Sequence, residues 1–328
     1  MRMSNRVLSI LAAIVLAMGM AGCGPTPTPE PTRAPTPAPT ATTLPTPTVK
    51  PEFPTSVYDD WGRKVDIAKK PERIISLAPS NTEILFALGL GDRVVGVTNA
   101  DDYPTQAKSK EKVVSLGKLN QEKIVALKPD LILAAGITSK DDVKRLEELK
   151  LTVLVLDPKD LDVIIRDIIL AGVATGTSKE ATRIADGMNQ KFESLRARIK
   201  TVSTKPKVFY ELDATNPAKP YTVGPGNFID YMLQMAGATN AAAGAKAMWA
   251  EFSTEELVKQ DPDLIILGDS NYGITPASVK ARPGWDKVKA VKNGAVYPID
   301  DTLVSRPGPR IIDGFEALVK IVHPELFR

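Results

Sequence analysis

The chain holds few side chains that could bind a metal or form a disulfide. Its 328 residues include one cysteine, Cys23, and one histidine, His323. A zinc or manganese site usually draws on several imidazole or thiolate ligands, and a lone cysteine cannot form a disulfide within the chain. We therefore expect no bound cofactor and no metal ligand set, which leaves carboxylates and aromatic rings as the candidate functional groups.

Two carboxylates occur in a matched pair. Residues 120–133 and 253–266 align without a gap, which places Glu122 opposite Glu255. Part of this match has a structural cause, because proline ends a helix and Leu-Ile begins a buried strand. Each glutamate falls in the first turn of a predicted helix, where the helix dipole favours a carboxylate. Two interpretations stay open: a role within each helix, or two matched negative points that face a common partner.

The first residues predict export. Arg2 and Arg6 precede an apolar run over residues 7–20, which is the layout of a signal peptide and is too short to span a membrane comfortably. The stretch Met20-Ala21-Gly22-Cys23 resembles the lipobox of bacterial lipoproteins, in which the cysteine is acylated and becomes the new N-terminus. We expect a lipid anchor at Cys23 on the extracytoplasmic face of the cell membrane; the alternative is an ordinary secretory signal.

A spacer follows the predicted anchor. Residues 24–54 are rich in proline and threonine and nearly lack large apolar side chains, so they cannot bury a core. In the polyproline conformation such a segment would extend over about 90 Å. The composition predicts a disordered tether that lets a folded module move above a membrane.

The remaining composition excludes one class of partner. Charged residues make up 25% of the chain, apolar residues 43%, and the net charge is +3. These are ordinary values for a globular protein, and no basic stripe is present, so we expect no nucleic-acid partner.

Alternating strand and helix patterns predict an α/β fold. A hairpin is expected near residues 56–64, and Ser80 is expected to cap a helix through a capping box with Glu83. Between residues 160 and 199 strand signals are missing, and apolar residues recur at helical spacing from Ile184 to Ile199. The sequence predicts two α/β lobes with mainly parallel sheets, bridged by one long backbone helix. The remaining predicted strands are 73–78, 93–98, 131–135, 152–156, 208–212, 264–267 and 295–299, and the remaining helices 121–127, 140–150, 228–235 and 311–321.

These patterns divide the chain into five parts. They are a signal peptide over 1–23, a tether over 24–54, an N-terminal lobe over 55–158, a connecting helical segment over 159–204 and a C-terminal lobe over 205–328.

Several segments resemble solute-binding proteins that serve ABC importers for vitamin B12, haem and iron–siderophore complexes. They are residues 73–83, residues 122–133, Trp249 followed by residues 252–255, and residues 306–311. The resemblance implies a monomer that is not an enzyme, with a metal chelate bound in the cleft between two lobes. It also implies that Glu122 and Glu255 dock on arginines of a permease dimer.

Within this class the chain looks most similar to cobalamin binders. Gly96-Val97 leads to Asp102-Tyr103-Pro104, and Trp249 takes the place of a pocket tryptophan. Aromatic faces suit a flat corrinoid, and a few polar groups orient its amide rim. The expected ligand-binding residues are Ser80, Asn81, Tyr103, Gly136, Gly224, Trp249, Asp301 and Arg306.

Alternatives remain for these residues and for the ligand. Ser80 could serve only as a helix cap, Tyr103 as a packed turn residue, Trp249 as a core residue, and Arg306 as a partner of Asp301. Three positions that are aromatic in the well-known vitamin B12 binder are occupied by Leu116, Ala135 and Leu303.

A ferric siderophore would use Arg306 and Lys118 to neutralise an anionic chelate, and haem would need Tyr103 or Tyr272 as its axial ligand. An enzyme on a similar scaffold is a third possibility, but no nucleophile elbow, phosphate loop or second thiol supports it.

Overall fold

The computed structural model describes residues 53–115 and 117–328. The predicted signal peptide, the anchor at Cys23 and residues 24–52 of the predicted tether lie outside the described residues, as does Leu116. The described part consists of a small hairpin, two six-stranded sheets and the helices around them.

Fourteen strands form within the described ranges. They are β1 Thr55–Tyr58, β2 Lys64–Ile67, β3 Ile74–Ser76, β4 Val94–Thr98, β5 Glu111–Ser115, β6 Lys118–Leu119, β7 Leu131–Ala135, β8 Val153–Leu156, β9 Lys207–Asp213, β10 Tyr221–Val223, β11 Thr239–Asn240, β12 Trp249–Glu251, β13 Leu264–Leu267 and β14 Val296–Pro298.

Eleven α-helices lie in the same described ranges. They are α1 Pro79–Ala87, α2 Gln121–Ala126, α3 Lys140–Glu148, α4 Leu161–Thr175, α5 Ser178–Ile199, α6 Phe228–Met235, α7 Thr254–Gln260, α8 Pro276–Lys280, α9 Lys289–Lys292, α10 Asp301–Val304 and α11 Ile311–Val322.

The N-terminal sheet has the strand order β6-β5-β4-β3-β7-β8, and all its neighbours are parallel except β5 and β6. The central strands β3, β7 and β8 are buried along their whole length. Continuous apolar runs such as residues 131–135 suit strands that are covered on both faces by helices. The β1–β2 hairpin pairs antiparallel, as predicted, and stands outside this sheet.

The C-terminal sheet is mixed. Its order is β12-β10-β9-β13-β14, and β11 pairs with β9. Strands β9, β11, β13 and β14 are parallel, whereas β10 and β12 add an antiparallel edge. The strands β10 to β12 were not predicted, because segments of two or three residues carry too little periodicity and exist only through their pairing with β9 and with each other.

Two consecutive helices, α4 and α5, connect the sheets in the chain. Helix α4 ends at Gly176, which takes a positive φ of 74°, and the long helix α5 follows at once. Met188, Phe192 and Leu195 on the predicted apolar face of α5 are buried. The prediction of two α/β lobes bridged by a long helix is confirmed. The strands of the two sheets fall within the predicted lobe ranges, and the lobe boundaries themselves remain a prediction.

One hydrophobic core is shared by both lobes. It contains residues of β3 and β7 from one sheet, residues of β9 and β13 from the other, and the buried faces of α4, α5 and α11. Each lobe adds a smaller cluster of its own, around Ile132 in the N-terminal lobe and around Trp285 in the C-terminal lobe. The two lobes are therefore packed together through one continuous core.

Candidate ligand-binding cavity

A cavity of about 970 Å³ lies between the two lobes. Its walls are formed where parallel strands end: Ala78, Ala135 and Leu156 follow or end strands of the N-terminal sheet, and Ala214 and Asp269 follow strands of the C-terminal sheet. The carboxyl ends of parallel strands are the usual position for ligands in open α/β sheets. The volume is at the upper end of the range for small-molecule sites, so the cavity suits a large ligand.

Five of the eight predicted ligand-binding residues line this cavity. They are Ser80, Gly136, Trp249, Asp301 and Arg306. Gly136 is required by close approach, because a Cβ at this position would lie 1.9 Å from Oδ1 of Asp157.

The other three predicted residues do not line the cavity. The buried Asn81 amide donates a hydrogen bond to the carbonyl of Ala134 at 2.9 Å and so braces α1 against β7. The Tyr103 ring lies beneath Arg310, whose guanidinium carbon is 3.9 Å from the ring centroid. Gly224 donates its N–H to the carbonyl of Met248 at 2.9 Å and so extends the hydrogen bonding between β10 and β12 at the edge of the C-terminal sheet.

Ser80 is not a helix cap. Helix α1 begins at Pro79, its N-cap is Ala78, and no side chain caps it. The predicted capping box is therefore wrong, because the helix begins two residues earlier, with Ala78 as N-cap and Pro79 as its first residue, and Glu83 bonds to Arg306 and Arg310 instead. Ser80 is left to face the cavity.

The tryptophans separate as predicted. Trp249 begins the edge strand β12, lines the cavity and keeps 48% of its surface exposed, so it is not a core residue. Trp285 is completely buried, and its Nε1 donates a hydrogen bond to Oγ1 of Thr254 at 3.3 Å. Large exposed apolar side chains on a cavity rim are typical of a binding surface.

Arg306 pairs with carboxylates other than Asp301. Its Nη1 lies 2.5 Å from Oδ1 of Asp102 and 3.3 Å from Oε1 of Glu83, both in the N-terminal lobe. Asp301 instead accepts a hydrogen bond from Oγ of Ser305 at 2.7 Å, and burial raises its pKa above the ordinary value. The alternative of an Arg306–Asp301 pair is wrong.

The two walls differ in charge. On the N-terminal wall the charged residues are Asp157 and Lys159, which neutralise each other at 2.7 Å. The C-terminal wall carries Asp213, Asp269 and Asp301, and among the described residues none of the three forms a salt bridge. Among the described residues, both cations that line the cavity, Lys159 and Arg306, are thus already paired, and the carboxyl groups of the C-terminal wall have no cationic partner.

Asp269 was missed by the sequence analysis. It is buried, its Oδ2 accepts the N–H of Ala214 at 3.0 Å, and its Oδ1 has no partner in the described part of the chain. Burial, and next the neighbouring Glu211, raise its pKa to about 7. Its position two residues after the end of β13 was the available signal, since residues that follow parallel strands face the ligand side of a sheet.

Two further residues lie at the rim of the cavity: Ile137, which the sequence analysis did not name, and Tyr272, which it named only as a possible haem ligand. Ile137 on the N-terminal rim and Tyr272 on the C-terminal rim are 82% and 83% exposed and both line the cavity. Of the two tyrosines named as haem ligands, only Tyr272 lies at the cavity. Lys118, named for an anionic chelate, lies instead in a surface groove beside Glu122.

Metal-ligand clusters are missing from the described ranges: no group of three His, Cys, Asp or Glu side chains there could hold a metal ion. His323 is buried away from the cavity, with Nδ1 3.1 Å from Oε1 of Glu325.

Glu122 and Glu255 occupy equivalent positions. Each is exposed in the first turn of a short helix, α2 or α7. The side chains of Asn120 and Ser253 cap these helices through the N–H groups of Lys123 and Glu256. The geometry fits both interpretations of the pair, a helix-dipole role and an exposed contact point in each lobe.

Two α/β lobes, a shared core and one cleft at the strand ends define a solute-binding architecture. The chain belongs to the periplasmic binding protein family, whose match covers residues 74–303. It is 36% identical over 324 residues to an uncharacterized ABC transporter substrate-binding lipoprotein of Bacillus subtilis, YvrC, covering 97% of this chain and 98% of that protein.

Other relatives differ in their stated ligands. The vitamin B12-binding protein of Vibrio cholerae is 32% identical over 250 residues, which covers 75% of this chain and 87% of that protein. A solved structure of a "possible" iron-binding (periplasmic solute-binding) protein of Staphylococcus epidermidis superposes with a TM-score of 0.66 at 34% identity, covering 78% of this chain and all of that one.

Within residues 53–115 and 117–328 no helix is both long and apolar enough to cross a bilayer.

Proposed function

We propose that this protein is the membrane-anchored receptor of an ABC importer, and that it captures a cobalamin or another corrinoid in the interlobe cavity and delivers it to the permease. The observation that carries the choice of ligand is the charge balance of the cavity. Among the described residues, the cations that line it are paired, and three carboxyl groups on one wall form no salt bridge.

A corrinoid fits such a site. Its corrin ring carries uncharged amides at the rim, whose N–H groups need hydrogen-bond acceptors, and the carboxyl oxygens of Asp213, Asp269 and Asp301 are acceptors on one wall. Its flat apolar faces need aromatic and aliphatic contacts, which Trp249, Tyr272 and Ile137 offer at the rim. The similarity to a vitamin B12-binding relative supports the same choice.

A ferric siderophore fits less well. Many such chelates carry net negative charge and would need unpaired cations, whereas Lys118 lies outside the cavity and Arg306 already holds two carboxylates. Haem remains a second candidate on one observation: Tyr272 is exposed at the cavity rim, where its phenolate could act as an axial ligand.

Delivery requires a membrane location and a docking surface. The predicted acylation of Cys23 and the predicted tether would keep the receptor near its permease. Glu122 and Glu255 are the proposed docking points, since each is exposed on the same kind of helix in its own lobe.

The ligand proposal is tested by titration of the full-length Cys23→Ser variant, which cannot be acylated at that position. Cyanocobalamin, haem and a ferric trihydroxamate are titrated separately by calorimetry. We expect binding of cyanocobalamin alone, and a Trp249→Ala variant that binds it at least about tenfold more weakly, because an aromatic contact is lost. Trp285 offers no usable control because it is buried, so Tyr58→Ala, an exposed aromatic residue outside the cavity, is the matched variant.

Binding of haem with no response to cyanocobalamin would overturn the proposal. A Trp249→Ala variant with unchanged affinity would remove this ring from the site while leaving the ligand class intact.

A further inference from the structure

Four charged side chains join the two lobes behind the cavity wall. Arg310 holds Glu83 with two bonds, Nε to Oε2 at 2.8 Å and Nη2 to Oε1 at 2.6 Å. Arg306 reaches the same Glu83 at 3.3 Å and Asp102 at 2.5 Å. Two guanidinium groups from one lobe thus meet two carboxylates from the other, and their charges cancel.

Only one member of this cluster lines the cavity. Arg306 is part of the C-terminal wall, whereas Glu83, Asp102 and Arg310 lie outside the lining. The Arg306 side chain is largely buried. A buried guanidinium attracts anions strongly unless a carboxylate neutralises it, so the partners of Arg306 decide how positive this wall is.

Asp102 is held in place from both sides. The carboxylate of the preceding Asp101 accepts the backbone N–H of Thr98 at 2.7 Å, which fixes the start of the loop. The ring of the following Tyr103 packs beneath Arg310. Between these anchors Asp102 points to Arg306, and the hydrogen bond from Arg306 holds the pKa of Asp102 below its usual range.

We infer that Asp102 is a specificity-determining residue that keeps anionic chelates out of the cavity by neutralising Arg306, although Asp102 itself does not line the cavity. With Asp102 ionised, the cluster carries no net charge, and the described residues that line the cavity offer an anion no unpaired cation. Without that charge, two arginines would share Glu83 alone, and Arg306 would be available to a carboxylate of a ligand. The inference rests on the proposed function for the choice of probes.

The test is an Asp102→Asn variant of the full-length Cys23→Ser chain, assayed with two matched corrins. Dicyanocobinamide has amides around its rim, and dicyanocobyrinic acid has carboxylates on the same ring. We expect Asp102→Asn to bind the carboxylate corrin about tenfold more tightly and the amide corrin unchanged, because only the first can use a freed Arg306. The gain should shrink as salt is raised.

The control variant is Asp313→Asn. Asp313 is as exposed as Asp102 (55% against 52%) and forms a comparable single pair, 2.6 Å from Nζ of Lys191, but it does not line the cavity or touch Arg306. It should alter neither affinity. In an Arg306→Gln background the Asp102→Asn change should lose its effect, which ties the gain to this one guanidinium.

An unchanged ratio of the two affinities, or an equal change for both corrins, would overturn the inference. If the parent chain binds neither corrin, the proposed function fails separately, and haem with its two propionates then replaces the carboxylate corrin. A tighter haem complex in Asp102→Asn would support the role of Asp102, and an equal one would refute it. Thermal unfolding of each variant verifies that the fold is retained.

Discussion

The two lobes are built on the same frame but carry different walls. In each lobe a short capped helix is followed within two residues by a residue with positive φ, Lys128 at 47° or Asp261 at 45°, and then by Pro-Asp and a buried strand. The aspartate then accepts the N–H that opens the neighbouring strand: Asp130 from Arg73 at 2.9 Å, and Asp263 from Lys207 at 2.8 Å. The internal repeat thus encodes a structural unit.

The walls built on this frame diverge. The N-terminal wall consists largely of small and apolar residues with one neutralised pair, whereas the C-terminal wall presents aromatic rings and three carboxylates without salt bridges in the described part of the chain. Residues of the repeated helix–Pro-Asp–strand unit are held by hydrogen bonds and burial, but side chains that follow the end of a strand are not needed for pairing within the sheet. They are therefore free to be chosen for a ligand.

The first prediction compares the loss of stability when a tryptophan is removed from the smaller apolar cluster of each lobe. Trp285→Ala should lower the free energy of unfolding by about 4 kcal/mol, because this indole is completely buried and packs against Phe209 in the C-terminal cluster. Trp61→Ala in the N-terminal hairpin should cost about 1–2 kcal/mol, since that ring is only partly buried. Urea unfolding at pH 7 measures both. Equal losses of unfolding free energy would contradict the expectation that the fully buried Trp285 contributes more to stability than the partly buried Trp61.

The next prediction compares two buried carboxylates that pair with an arginine. Glu211 in the C-terminal lobe bonds to Arg282, whereas Asp59 in the N-terminal lobe bonds to Arg63 and also to backbone N–H groups. Arg282 is the hydrogen-bond partner of the buried Glu211 within the described residues, at 2.5 and 2.8 Å. Arg282→Ala should therefore cost about 3 kcal/mol, because the carboxylate is left unpaired.

In the N-terminal lobe, Arg63→Ala should cost about 1 kcal/mol, because the carboxylate of Asp59 still accepts backbone N–H groups from Trp61 and Val155. The same urea titration compares the two variants. A loss at Arg63 as large as that at Arg282 would contradict the argument.

A third effect depends on pH. Burial, with Asp60 nearby, raises the pKa of Asp167 in α4 to about 8, and burial with Glu211 raises that of Asp269 to about 7. Each carboxyl binds its proton more tightly in the folded state than in the unfolded chain. Its contribution to stability is therefore complete below pH about 3.8 and is lost as pH rises through the folded pKa, with a slope of at most about 1.4 kcal/mol per pH unit.

Replacement by asparagine removes that loss. Relative to the parent, Asp269→Asn should gain stability from pH 4 to about 7 and then level off, whereas Asp167→Asn should continue to gain up to about pH 8. Urea midpoints at half-unit pH steps locate the two plateaus. A parent-like pH profile in either variant would show that the carboxyl does not retain its proton.

The smallest change in stability is expected on the docking helices. Glu122→Gln and Glu255→Gln should each cost less than about 0.5 kcal/mol, the weak helix-dipole contribution of an exposed first-turn carboxylate. Ligand affinity should stay unchanged, and permease docking in vesicles should weaken in either variant if each lobe supplies one contact. If a variant with both substitutions still docks on the permease as the parent does, the docking interpretation fails, and the two glutamates only stabilise their helices.

Much of the fold could be read from local patterns. The strands over residues 131–135 and 264–267 and the helix over residues 228–235 coincide with β7, β13 and α6, because long apolar runs and strong caps define their ends. The strands β10 to β12 could not be predicted, because they depend on pairing with neighbours. The N-cap predicted at Ser80 lies two residues after the true N-cap, Ala78, because the capping-box pattern outweighed the preference of Pro79 for the first helical position.

The lining of the cavity was predicted in part, and its role in ligand binding stays a prediction. Trp249, Asp301 and Arg306 were found from their resemblance to a family, and the structure brings them to one cavity. The other three predicted residues make contacts outside the cavity. Asn81 bonds to the backbone carbonyl of Ala134, the Tyr103 ring packs against Arg310, and Gly224 bonds to the carbonyl of Met248. Asp269 escaped notice, because a carboxylate after a strand carries no motif until the sheet places it.

The sequence by itself determined the alternation of strands and helices, the repeated frame of the two lobes and membership of the family, because these depend on local propensity and on contiguous residues. The tertiary structure alone decided the charge of the cavity. Arg306 is neutralised by Glu83 and Asp102, more than 200 residues away in the chain. Such a pairing exists only once the shared core has packed one lobe against the other, since electrostatic partners are chosen by distance in space.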